Sequence, residues 1–221
     1  MHRPMRVEGS RFFELILCDG RSIFSCTMAV TTRERILEAA EEIMLSKSFH
    51  SVGLREILKA VKVPKGSFYH HFSSKEQFGV ELLKHYANVH TERLNRHFRA
   101  SGVTGIDKFN EYWSCQIGLI TGTKCRQSCL VAKLGLEVAG FSESMRAVMV
   151  QALSTWRAIY ERAIREGQAD GSIRKDLDPA MTAAAIQDMW QGALQRTEVE
   201  KSAAPLRAAA KFLRQTLSSE I

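Results

Sequence analysis

The segment VPKGSFYHHFSSKEQF, residues 63–78, governs how the rest of the chain is interpreted. It holds two lysines and six aromatic or imidazole rings, and its first acidic residue is Glu76. Pro64 suits the first turn of a helix, because its missing N–H has no intrahelical partner there. Ser73 and Glu76 have the spacing of a capping box, which predicts the start of a further helix. The segment therefore predicts a short helix followed at once by a longer one.

The residues before this segment predict two more helices. Thr31 and Glu34 form a capping box, and the apolar stripe that follows predicts a helix ending near Lys47. A second, shorter helix is indicated by four apolar residues at helical spacing, namely Leu54, Ile57, Leu58 and Val61. Two short helices joined by a tight turn form a helix-turn-helix, whose second helix can lie in the major groove of DNA.

Each polar residue around the predicted turn has a role that suits nucleic acid. Gly66 has no Cβ, so the backbone can approach a phosphate closely. Lys65 can reach a base edge or a phosphate, and Tyr69 can donate its hydroxyl to a phosphate. Ser67 and His70 face the same groove. Phe68 and Phe72 are expected to lock the short helix onto its neighbours.

The electrostatics of the same region favour an anionic partner. Residues 57–75 contain four lysines and no acid. Lys75 falls in the first turn of the next helix, where its charge opposes the helix dipole, and a DNA phosphate would relieve that conflict. The alternative is a solvated basic loop between bundle helices.

The remainder of the chain also has helical patterning. Helices are predicted over residues 109–121, 129–138, 142–166, 178–197 and 205–217, with Gly167 and Gly171 as breaks after the third of these. No segment alternates with a period of two, so the fold class is all-α. Residues 180–194 and 205–217 are rich in alanine. Two such helices from each of two chains would form a four-helix dimer interface, although ordinary packing within one chain is the alternative.

Composition limits the classes of protein that fit. The 221 residues are 45% hydrophobic, enough for a folded core, and the net charge of +7 with a pI near 9.3 favours an anionic partner. No apolar run is long enough for a membrane span. The cysteine number is odd and the spacing irregular, which favours a reducing compartment, the cytoplasm. Residues 1–28 lack helical patterning and are expected to be a leader or a disordered extension; the alternative is a basic DNA-contacting arm.

The stretch GLREILKAVKVPKGSFYHHFSSKEQF, residues 53–78, resembles the DNA-binding domain of TetR/AcrR regulators. That family's pattern ends in a recognition helix, Tyr-x-x-Phe and a Lys-Glu pair, which Tyr69, Phe72, Lys75 and Glu76 match. Lys62 stands where a turn glycine is common. Gly53 likewise replaces a Ser or Thr that often touches phosphate, with Arg55 as a possible substitute.

The resemblance implies an architecture and a function. Residues 29–75 would form a three-helix DNA-binding domain, and residues 76–221 a larger ligand-binding and dimerisation domain. Such a homodimer would bind a palindromic double-stranded operator as a repressor and leave it when a small-molecule inducer binds. The implied protein is not an enzyme, needs no cofactor or metal, and has no membrane partner.

The segment QSCLVAKLGLEVAGFSESMR, residues 127–146, resembles the branch of this family that senses electrophilic or unsaturated molecules through a cysteine at a helix start. Cys129 matches that cysteine, and Lys133 follows one turn later. A thiol near a helix N-terminus with the cations Lys124, Arg126 and Lys133 nearby is expected to have a lowered pKa. The alternative is that Cys129 is a small apolar filler of the core.

Aromatic and amide side chains of the second domain could supply a ligand pocket or plain core. The candidates are Tyr112, Trp113, Gln116, Trp156, Tyr160 and Trp190. Cys125 and Cys129 could form a redox pair or half of a metal site, but the spacing without a second pair is a weak signal. Two other classes stay open at this point: a cysteine-dependent redox enzyme, and a helical partner-binding module without DNA affinity.

Overall fold

The computed structural model describes residues 31–122 and 129–219, and the predicted leader lies outside them. Within these two ranges the secondary structure consists of helices and a single β-bridge between Ile173 and Ser218. The all-α prediction is thereby confirmed. The helices are α1 (Thr32–Met44), α2 (Leu54–Ala60), α3 (Lys65–His71), α4 (Lys75–Phe98), α5 (Gly105–Gly122), α6 (Leu130–Val138), α7 (Glu143–Asp170), α8 (Pro179–Glu200) and α9 (Ala204–Leu217).

Helices α1 to α3 form a small head that packs on the start of α4. The capping box that opens α1 is confirmed, since Thr31 accepts from the N–H of Glu34 and the Glu34 carboxylate accepts from the N–H of Thr31. Phe68 and Phe72 are fully buried, and their rings lie 5.1 Å apart. Each also packs on Phe78 of α4. These rings anchor α3, as predicted.

The turn between α2 and α3 is a Schellman motif. The N–H of Val63 donates to Leu58 O at 3.0 Å, and the N–H of Lys62 donates to Lys59 O at 3.3 Å. The motif needs a left-handed residue, and Lys62 supplies it with a φ of 55°. A side chain strains this backbone conformation, so Lys62 is less favourable here than the glycine that the family commonly has at this position.

The start of α4 differs from the prediction. Ser74, not Ser73, is the N-cap and accepts from the N–H of Gln77 at 3.0 Å. Glu76 does not reach back to close a capping box. Its carboxylate instead accepts from the hydroxyls of Ser142 at 2.7 Å and Ser144 at 2.9 Å, at the start of α7. Two hydroxyl donors from a distant segment outcompete the local backbone amide.

The long helix α7 crosses α5 at a pair of glycines. A Cβ on Gly105 would lie 2.3 Å from the Cα of Gly167, so Gly105 accepts no side chain unless the two helices separate. A Cβ on Gly167 would lie 2.5 Å from the side chain of Ile173. Gly167 therefore lies inside α7, and its prediction as a helix break is wrong. The helix ends at Gly171, which has a φ of 82°.

The last two helices complete the larger part of the molecule. Asp178 caps α8 by accepting from the N–H of Met181 at 2.7 Å, and Pro179 occupies the first turn, as predicted. Helix α9 packs against α8 and α5. In the described part of the chain, no helix combines the length and the apolarity that crossing a bilayer requires.

The left-handed Lys62 gives a stability prediction. Lys62→Gly should raise the free energy of unfolding by about 0.5–1 kcal/mol. The substitution relieves the left-handed strain of the folded state, and the greater freedom of glycine in the unfolded chain cancels only part of this gain. Thermal unfolding should show a midpoint higher by roughly 2–4 °C per kcal/mol. Lys62→Ala is the matched control, since it removes the same charge and keeps the Cβ. Equal midpoints for the two variants would contradict the assignment of strain.

Candidate nucleic-acid interface and sensing site

The outer face of α3 carries the residues predicted to contact DNA. Lys65, Gly66, Tyr69 and His70 are exposed, and Tyr69 keeps 53% of its surface accessible although Phe68 beside it is fully buried. The ammonium of Lys65 lies 5.8 Å from the centre of the Tyr69 ring. A Cβ on Gly66 would meet no atom within 4 Å, so this glycine is not required by packing. The helix thus presents a cation, a phenol and an open backbone on one face.

Two further predicted contact residues flank this face. Arg55 is exposed in the first turn of α2, and Ser67 is half-buried in α3. Gly53 is the N-cap of α2 and offers no side-chain cap. The exposed Lys59 and Lys62 add positive charge nearby. Arg55 and the α3 residues therefore lie on two helices that contact each other, and their contact with DNA stays a prediction.

Lys75 has partners inside the protein. Its ammonium donates to Val52 O at 3.0 Å and to His50 O at 3.3 Å, and lies 5.1 Å from the centre of the Phe49 ring. The carbonyl oxygens of the α1–α2 loop thus offset its conflict with the α4 dipole. These acceptors position the loop without any phosphate, and the contact of Lys75 with DNA stays a prediction.

Glu137, near the end of α6, was not singled out by the sequence analysis. Its carboxylate accepts from the backbone N–H groups of Phe49 at 3.0 Å and His50 at 2.9 Å, and from the Ser48 hydroxyl at 2.5 Å. Burial opposes ionisation of this carboxyl, but these hydrogen bonds outweigh it and lower its pKa. One feature of the sequence could have pointed to Glu137: it is an acid near the C-terminus of an apolar helix, where the helix dipole disfavours a negative charge.

Cys129 is the N-cap of α6, as the predicted helix start implies. Its sulfur accepts from the N–H of Ala132 at 3.5 Å and also hydrogen-bonds the hydroxyl of Tyr86. Burial raises the pKa of the Cys129 thiol and outweighs these bonds, so the predicted lowering is wrong. Lys133 is half-buried one turn along. The other expected cations, Lys124 and Arg126, lie outside the described residues.

Most of the predicted pocket residues meet in one aromatic cluster. The hydroxyl of Tyr160 donates to that of Tyr112 at 3.3 Å, and the Trp190 ring lies 6.5 Å from Tyr112 and 6.4 Å from Trp113. Burial raises the pKa of Tyr112 to about 12, so this phenol stays neutral. The indole N–H of Trp113 is buried without a hydrogen-bond acceptor. A ligand with an acceptor atom would satisfy it.

The remaining two pocket candidates are Trp156, which packs on His90, and Gln116, which is only half-buried. The Trp156 ring packs 4.5 Å from His90, and its indole N–H donates to Thr91 at 3.0 Å. Burial lowers the pKa of His90 to about 3, so its ring is neutral. Gln116 is half-buried on α5.

The two described cysteines differ in state. Cys129 is a free thiol, whereas Cys115 is disulfide-bonded, which the irregular cysteine spacing did not indicate. Among residues 31–122 and 129–219, no three His, Cys, Asp or Glu side chains group as metal ligands would. Cys125, the other half of the weak metal candidate, is not among the described residues.

Comparison with known proteins gives two domain matches. Residues 36–82 match the profile of bacterial regulatory proteins of the tetR family, and residues 105–213 match the tetracyclin repressor-like C-terminal domain. Among curated proteins, the transcriptional repressor NemR of Escherichia coli is 33% identical, covering 85% of this chain and 94% of its own. The repressor DhaR of a Mycobacterium species is 29% identical, covering 79% and 86%.

A solved structure agrees with these matches. The reduced form of E. coli NemR superimposes with a TM-score of 0.78 at 29% identity, covering 86% of this chain and all of that one. TetR regulators bind operator DNA and small molecules, dimerise, and are not enzymes. With this identity and coverage over both domains, the chain belongs to the TetR family of DNA-binding transcriptional regulators.

Proposed function

We propose that this chain is a repressor whose homodimer holds a palindromic operator through α3 and releases it when a small molecule acts at the Cys129 site. The observation that carries the DNA contact is the exposed face of Lys65, Gly66 and Tyr69 on a helix anchored by buried phenylalanines. Lysine and tyrosine contacts to phosphate would orient the head, and Lys65 and His70 would reach base edges.

The proposed dimer uses α8 and α9. Both helices leave large apolar side chains in solvent, with Met181 76%, Val199 82% and Phe212 54% exposed. A groove of about 370 Å³ between them is lined mainly by small apolar side chains and Phe212. Pairing these faces in two copies covers them and forms a four-helix interface. The two heads then read half-sites about 34 Å apart.

The proposed inducer is an electrophilic or unsaturated carbonyl compound. Cys129 sulfur would add to the β-carbon, the π electrons would shift toward the carbonyl oxygen, and the thiol proton would end on the α-carbon. The Tyr86 hydroxyl favours the reacting thiolate, although burial slows its formation. Tyr112 and Tyr160 are neutral hydroxyl donors in the same aromatic surroundings. The resulting adduct would no longer fit the N-cap position.

The first experiment is selection of bound genomic fragments by the purified protein, followed by a salt titration of the selected site. Affinity should fall linearly with salt on logarithmic axes, as phosphate contacts release counterions. A palindrome among the selected fragments supports the dimer. Absence of DNA binding would instead favour a helical partner-binding module. Turnover of a peroxide or thiol substrate would favour a cysteine-dependent redox enzyme.

Gly66→Ala tests the approach of α3 to the DNA backbone. The added methyl has open space in the free protein and should raise helix stability by about 0.5–1 kcal/mol. It should lower operator affinity by about tenfold, the loss expected for one hydrogen bond to a charged group. The measurements are thermal unfolding and fluorescence anisotropy with the selected operator.

Gly118→Ala is the matched control for that experiment, because Gly118 also has open space and lies in α5, away from the head. It should raise stability and leave operator affinity unchanged. Wild-type affinity in Gly66→Ala would contradict the proposed placement of α3.

The inducer proposal is tested with a pair of ketones that differ only in one double bond, 2-cyclohexenone and cyclohexanone. The enone should lower operator affinity by at least about tenfold, within the usual range of allosteric coupling, and cyclohexanone should have no effect. Cys129→Ala should abolish the response to the enone. Intact mass and anisotropy are the readouts. Release of the alanine variant by both ketones would instead indicate non-covalent binding.

A further inference from the structure

Helix α6 connects two regions of the molecule that have different proposed jobs. It begins at the Cys129 cap, among the aromatic residues of the larger domain, and Glu137 lies one residue before its end. Four apolar residues seat the helix in the core: Leu130, Val131, Leu134 and Val138. With a rise of about 1.5 Å per residue, the eight steps from Cys129 to Glu137 span roughly 12 Å. Because α6 is short and buried along one face, a shift at its Cys129 end can reach its Glu137 end while the helix stays folded.

The Glu137 end of α6 holds the loop between α1 and α2. Its two carboxylate oxygens accept from two consecutive backbone N–H groups, those of Phe49 and His50, and from the hydroxyl of Ser48. The ring Nδ1 of His50 lies 3.1 Å from the same carboxylate. The Glu137 side chain is only 22% exposed, so water replaces these donors poorly. Hydrogen bonds to a partly buried carboxylate are among the strong ones.

Aromatic contacts reinforce this junction. Phe49 is 3% exposed and stacks on Phe141, with ring centres 6.3 Å apart. Phe141 also lies edge-on to His50 at 4.4 Å. A Cβ on Gly79 of α4 would come within 2.8 Å of the Phe49 ring, which shows how closely this ring sits on α4. The segment from Glu137 to Phe141 therefore holds the α1–α2 loop in place through hydrogen bonds and ring contacts.

The position of Glu137 goes against the local preferences of a helix. A carboxylate in the last turn faces the negative end of the dipole and destabilises the helix. Lys133 lies one turn earlier in the same helix, but His50 Nδ1, at 3.1 Å, is the ionisable contact that the structure shows for the Glu137 carboxylate. Its stabilisation comes from donors 87 to 89 residues earlier in the chain. Glu137 is unfavourable for its own helix and is stabilised by hydrogen bonds to a distant loop. Its position is therefore explained by tertiary contacts and not by helix preference.

We propose that Glu137 is a positioning residue that latches the DNA-reading head to α6, so that a displacement of α6 at Cys129 reaches the head through the α1–α2 loop. Only the transmission of a displacement from Cys129 to the head rests on the proposed function. The latch itself concerns the free protein. Removing it leaves α3 intact but frees the head to take orientations in which two half-sites cannot be engaged together.

Hydrogen exchange tests the latch without DNA or ligand. In Glu137→Gln, one oxygen becomes an NH2 group that cannot accept and the other oxygen loses its charge, so both hydrogen bonds are lost or weakened and the amides of Phe49 and His50 should exchange up to about tenfold faster. Glu143→Gln is the matched control: it removes the same charge from an exposed acid whose carboxylate accepts from Arg146. Ser48→Ala removes one donor and should give a smaller change in the same direction. Unchanged exchange in Glu137→Gln overturns the latch.

Operator binding with and without 2-cyclohexenone tests the transmission. Modification of Cys129, verified by mass, should weaken operator binding at least about tenfold in the wild type and in Glu143→Gln, but less than about threefold in Glu137→Gln. An equal response in all three proteins overturns the role of Glu137. If the wild type itself does not respond, the sensing proposal fails, and the exchange experiment still decides whether the latch exists.

Discussion

The burial of Phe68 and Phe72 is the constraint on which the rest of the molecule depends. Helix α3 has seven residues, too few to be stable by itself, so its position is set by these two rings and Phe78 beneath them. Because the rings occupy one face, the opposite face with Lys65 and Tyr69 must point to solvent. The same apolar contacts therefore fold the head and orient the surface that we propose for DNA binding.

The loop between α1 and α2 shows how the head is joined to the larger domain. Its backbone lacks a regular hydrogen-bonding pattern, yet it lies against buried side chains, so its polar groups need partners. Two charged residues divide this task. Lys75, at the start of α4, donates to carbonyl oxygens of the loop, and Glu137, near the end of α6, accepts from its N–H groups. The head is consequently fixed by opposite charges acting on adjacent peptide groups.

Features set by local interactions could be predicted from the sequence, and features set by distant segments could not. The capping box of Thr31 and Glu34 formed as expected, whereas the same spacing at Ser73 and Glu76 failed because α7 offers serine hydroxyls. The exposed face of α3 followed from its motif. The raised pKa of Cys129 and the acceptors of Lys75 depend on packing that no local pattern records.

Helix α6 has a chemical group at each end whose state is tied to its position. Cys129 caps the helix only while its sulfur can accept from Ala132, and Glu137 holds the loop only while the helix end stays in place. Allosteric coupling in proteins is typically about 1–3 kcal/mol, and one hydrogen bond to a charged group contributes about 1.5–3 kcal/mol. Loss of a single bond at the Glu137 end therefore has the size that the proposed release requires. A displacement too small to unfold the helix can thus decide whether the two heads match the spacing of their half-sites.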